Sequence, residues 1–141
     1  MCIFESYQSK FSYFLFALAV WVSIFYFVNE KLHFRSKFSK KQSDDMKNRI
    51  VATIHGLFAF MVSGYHLAND DPHFLQRSTD IQHFILLTSG AYFLYDWVAC
   101  YWYGLLDIKL NIHHAMCLFG VIVCEYTDNA TTSLSNFWFL N

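Results

Sequence analysis

The sequence predicts an all-α protein, a polytopic transmembrane helix bundle of at least four spans, and three observations predict it. Four apolar runs, each close to the length of one bilayer crossing, alternate with polar stretches. The chain is 55% hydrophobic and 21% aromatic but only 15% charged, too little charge to cover a soluble domain of this size. The basic residues also fall largely on one side of an alternating topology.

The first run, Phe11 to Asn29, holds no charged residue. It is long for a signal-peptide core and lacks a basic start and a small-residue cleavage site, so residues 1–30 read as a retained N-terminal transmembrane anchor. A basic linker follows over residues 31–48. The second run extends from Ile50 to Ala68, and a turn from Asn69 to Asp80 carries the single proline, Pro72. The third run covers Ile81 to Tyr103, and a short turn over Gly104 to Lys109 leads into the fourth, Leu110 to about Tyr126. Phe137-Trp138-Phe139-Leu140 reads as the start of a fifth span.

Charge orients these spans. Lys31, Arg35, Lys37, Lys40, Lys41, Lys47, Arg49 and Lys109 lie on one side, and only Lys10 and Arg77 on the other. The positive-inside rule then places the N-terminus outside or lumenal and the Lys31–Arg49 stretch in the cytosol. The glycosylation sequon Asn129-Ala130-Thr131 falls on the expected outer side. The endoplasmic reticulum or plasma membrane suits this reading better than a mitochondrial membrane.

Composition also excludes partners. A net charge of −1 offers no electrostatic footprint for nucleic acid. Cys2, Cys100, Cys117 and Cys124 show no CxxC spacing, and three of them lie in apolar runs. Buried free thiols are expected rather than a zinc site or a disulfide framework. No haem-protein motif accompanies the histidines, so neither a cofactor nor a metal is expected.

Ionisable groups inside a bilayer are costly and turn toward partners in the bundle. His55 and His66 share one stripe of the second run with Ala59 and Val62. On the third run, Ser89, Tyr92, Ala99, Cys100 and Tyr103 lie on the face of Asp96. The fourth run opens with His113 and His114, about 100° apart on a helix. A rise of 1.5 Å per residue puts His55 roughly 8 Å, Asp96 roughly 10 Å and the histidine pair roughly 5 Å above the inner ends of their spans. His66, Asp70, Asp71, His73 and His83 gather at the outer interface instead. The inner group is therefore the candidate site. A carboxylate beside an imidazole fixes its tautomer and raises its basicity, and Tyr92, Tyr95 or Tyr103 offers a donor to a developing oxyanion. The same pair equally serves to tie helices together.

Three pieces of the sequence resemble the TLC-domain family, which includes ceramide synthases and several small lipid-related membrane proteins. They are Arg49-Ile50-Val51-Ala52-Thr53-Ile54-His55-Gly56, Gly90-Ala91-Tyr92-Phe93-Leu94-Tyr95-Asp96, and His113-His114 before an apolar run. The resemblance is nearest to the small TLC-domain-containing transmembrane proteins. It implies a six-helix bundle around a cavity, with residues 49–141 as a partial TLC domain behind one extra span. It also implies candidate catalytic residues His113, His114 and Asp96, and candidate substrate-binding residues His55, Tyr92, Tyr95 and Tyr103.

The later acidic motif of the synthases is missing, and about three of six bundle helices are present. The chain is therefore expected to be a fragment, or a reduced relative completed by helices of a partner membrane protein. The expected function is lipid binding or control of membrane lipid composition, without catalysis by the chain as it stands. Acyl transfer to a membrane lipid by a longer form is the alternative.

Overall fold

The computed structural model describes Phe4 and residues 6–32, 38–69 and 78–127. Cys2, Arg35, Lys37, Asp70, Asp71, Pro72, His73, Arg77, the sequon at 129–131 and the expected fifth-span start at 137–140 lie outside the described residues. The described elements are four α-helices: α1 Tyr7–Lys31, α2 Lys40–Asn69, α3 Asp80–Trp102 and α4 Ile108–Thr127.

Local chemistry sets the ends of these helices. Ser6 caps α1, its hydroxyl accepting from Ser9 N at 3.1 Å. α2 starts at Lys40, well before the apolar run, so part of the stretch expected as a linker is helical. The sequence Ser39-Lys40-Lys41-Gln42 explains this. Ser39 N donates to Gln42 Oε1 at 2.9 Å and Gln42 N to Ser39 Oγ at 3.3 Å, a reciprocal capping box. Thr79 and Gln82 repeat the device at the start of α3. Just beyond its C-cap Tyr103, α3 is stopped by Gly104, whose φ of 62° suits a residue without Cβ. Gly104 N donates to Tyr101 O and Leu105 N to Cys100 O, the paired bonds of a Schellman stop. Asp107 Oδ1 then accepts from Leu110 N at 2.7 Å and starts α4.

The bundle is built around α3, against which every other helix packs. Of the apolar stretch of α3, 67% is buried, against 17% for α1 and 22% for α4, so α3 is the central helix and the other two face outward. α1 runs parallel to α3, pairing Tyr13 with Phe84 near one end and Phe25 with Tyr103 near the other. α2 and α4 run antiparallel to it: Asn48 meets Asp96 and Phe58 meets Phe84, while Asn111 meets Trp97 and Glu125 meets His83. Gly90 brings α3 close to α4, since a Cβ there would lie 2.8 Å from Val121 Cγ1. Cys100, Cys117 and Cys124 are buried free thiols.

Three helices, α1, α3 and α4, are long and apolar enough to cross a membrane. α2 is the longest helix and follows α3 from Cys100 to Phe84. Its charged first turns and two histidines make it the more polar member. Phe11, Phe16, Phe27, Met61, Phe119 and Ile122 project from the outside of the bundle, an apolar exterior suited to lipid. The protein is an all-helical membrane bundle.

Candidate functional site

At the basic end of the bundle, α2, α3 and α4 converge on Asp96. His114 Nε2 lies 2.6 Å from Asp96 Oδ2, and Asn48 Nδ2 donates to Asp96 Oδ1 at 2.5 Å. Tyr95 OH donates to Asn48 Oδ1 at 3.0 Å, and the Cys100 thiol lies 3.4 Å from Asn48 Nδ2. Asn48, Asp96, His114 and Cys100 are each under a tenth exposed. The carboxylate is thus held by two neighbouring helices with both oxygens occupied.

The histidine is held as firmly. Its Nδ1 donates to Leu110 O at 2.8 Å, a bond a carbonyl can only accept. The proton between Nε2 and Asp96 is then the second of the imidazole–carboxyl pair, and neither ring nitrogen has a lone pair turned to a substrate. Burying such a pair is tolerable in a bilayer because each polar atom finds its complement within the bundle.

The other predicted residues are distributed around this centre. His55 is buried and stacks on Tyr92, with ring centroids 3.9 Å apart and planes within 9°. Its Nε2 lies 3.2 Å from Ser89 Oγ, about two turns of α3 from Asp96. Trp21 of α1 stands edge-on to both rings at 5.5 and 5.4 Å and donates through Nε1 to Thr88 O at 3.1 Å. Tyr103 is apart from the centre, packed on Phe25 at the end of α3. His113 is exposed on α4, with Cys117 Sγ 3.6 Å from its Nε2. The structure thus joins Asp96 directly to His114 and Tyr92, and to Tyr95 through Asn48, while His55 stacks on the far side of Tyr92. His113 and Tyr103 lie on other surfaces.

Two participants escape a reading of the sequence. Asn48 precedes the second apolar run, among charged residues that look solvated; the capping box at Ser39 was the available signal that the helix begins early enough to include it. Glu125 closes the fourth run at the opposite end. It accepts from Lys10 Nζ at 2.9 Å and lies 3.0 Å from His83 Nδ1, joining α1, α3 and α4. No described group of three or more His, Cys, Asp and Glu side chains has a geometry suited to a metal ion.

The comparisons with known proteins add one match. A family model described as the TLC domain matches residues 45–140, more than half of the chain. The match takes in Asn48, His55, Asp96 and the histidine pair, and α1 lies before it. No curated protein and no solved structure matches the chain.

Proposed function

The chain belongs to the TLC-domain family, a membrane-lipid-associated family, and from that premise we propose that it is a lipid-binding module acting in membrane lipid composition and homeostasis, without catalysis. The observation that carries this reading is the saturation of the polar centre. Both nitrogens of His114 and both oxygens of Asp96 are engaged within the bundle, so the pair fastens three helices and presents no base. Tyr95, which would donate to an oxyanion, donates to Asn48 instead. Tyr92 is likewise engaged, its hydroxyl by Asp96 and its ring by His55.

The module sits in the endoplasmic reticulum or plasma membrane, with its N-terminus outside or lumenal and the basic end of α1 and α2 in the cytosol. Its binding partners are membrane lipids, with helices of another membrane protein against the exposed side of α4, where His113 is too polar to face hydrocarbon alone.

The deciding experiment is an assay of the purified protein with acyl-CoA and phospholipid, beside lipid profiles of cells expressing His113→Ala and His114→Ala. Absence of turnover with altered lipid profiles supports the module. Measurable turnover ends it in favour of the second reading, acyl transfer to a membrane lipid. That reading draws on His113, the one member of the histidine pair whose ring is exposed.

A further inference from the structure

An apolar groove of about 560 Å³ runs along the flank of α1 beside α2. Phe16, Val20, Ile24 and Phe27 line it from α1 and Ile54 from α2. From Phe16 to Val28 it covers roughly 18 Å of helix at 1.5 Å per residue, close to the roughly 15 Å depth of one leaflet's hydrocarbon. Its length and volume suit a single acyl chain lying along the helix axis.

Any apolar face of a membrane protein touches lipid, and the charge at one end distinguishes this groove. Lys47 lies two turns before Ile54 on the same face of α2. Its ammonium is held across the end of α1, 2.8 Å from Asn29 Oδ1 and 3.4 Å from Asn29 O. Lysine carries three N–H donors, and Asn29 engages two of them. Lys31 is exposed in the last turn of α1 beside it. Between Asn29 and Arg49 the described basic residues are Lys31, Lys40, Lys41, Lys47 and Arg49, against Glu30, Asp44 and Asp45. Asp45 is itself paired with Arg49 at 2.9 Å. The groove thus ends at an excess of positive charge.

We infer that the groove between α1 and α2 holds one acyl chain of an anionic glycerophospholipid whose headgroup is taken by Lys47. The inference rests on the lipid-binding reading above but names a lipid class and a site away from Asp96 and His114. Asn29 keeps the Lys47 side chain in place before the lipid arrives, so little ordering is needed on binding.

The test uses the whole protein in phosphatidylcholine nanodiscs doped with a diazirine-tailed phosphatidylserine or the matching diazirine-tailed phosphatidylcholine. Cross-linked peptides are then mapped by mass spectrometry. The serine lipid is expected to label residues 16–28 about five-fold more than the choline lipid, the ratio that one well-placed basic residue gives. Lys47→Ala should bring the ratio close to one, and Lys47→Arg should keep it. Ala19→Trp, which fills the groove from an exposed position, should remove labelling there by both lipids. Equal labelling by the two lipids in the unaltered protein, or a ratio untouched by Lys47→Ala, overturns the anionic site and leaves the lipid-binding reading standing. Absence of any cross-link to the bundle overturns both.

Discussion

The two ends of the bundle solve the same problem with different chemistry. Each places a carboxylate of one helix beside an imidazole of another, Asp96 with His114 at the basic end and Glu125 with His83 at the other. At Asp96 the further partners are neutral, the amide of Asn48 and the hydroxyl of Tyr92. At Glu125 the further partner is the ammonium of Lys10. The difference lies in the partners more than in burial, since the Asp96 and Glu125 side chains retain similar exposure, 11% and 14%. A carboxylate matched by neutral donors relies on hydrogen-bond geometry, whereas one matched by an ammonium adds a charge pair that water and headgroups screen near the interface. The two ends also fasten different helices to α3 and α4, α2 at the Asp96 end and α1 at the Glu125 end.

Removing a carboxylate from each end tests that contrast by stability in mixed detergent micelles. Asp96→Ala leaves Asn48 and His114 without their shared partner and should cost about 2–4 kcal/mol, below the soluble range because an unfolded chain in a bilayer also finds partners. A cost below that of the Glu125 variant would show that the Asp96 centre is not the main fastening. Glu125→Ala should cost about 1–2 kcal/mol, since Lys10, released from the pair in the first turn of α1, can turn to water. A double-mutant cycle of Lys10→Met with Glu125→Gln should return a coupling of about 0.5–1 kcal/mol. By contrast, Asp96 and Glu125 variants should combine additively within about 0.5 kcal/mol, because thirteen residues of α3, roughly 20 Å, separate their contacts. The smallest effect belongs to His113→Ala, within about 0.5 kcal/mol, because its ring is exposed; a larger loss would show that His113 bears on the fold.

Much of this architecture was legible in the sequence because bilayer crossings need long apolar runs, and the four helices contain the four runs. The shared depth of Asp96 and His114 was legible too, since a fixed rise per residue converts position into height, but His55 lies about two turns above them beside Ser89. Height does not give azimuth. For that reason His113 and His114, adjacent in sequence, were not separable into an exposed and a buried residue. The docking of α1 was hidden for a different reason. In a soluble protein the core face of a helix stands out from its polar face, but in lipid both faces are apolar, so Trp21 and Val28 look like Phe16 and Phe27. Glu125 was hidden because its partner Lys10 lies at the far end of the sequence.

The position of α3 has a consequence for biogenesis. Synthesis releases α1 and α2 first, yet Trp21 needs Thr88 O, Asn48 needs Asp96 and His55 needs Ser89. The first two helices therefore reach the insertion machinery with their polar commitments unmet. A nascent chain arrested before residue 90 should stay associated with that machinery or with membrane chaperones, and release should coincide with the emergence of α3.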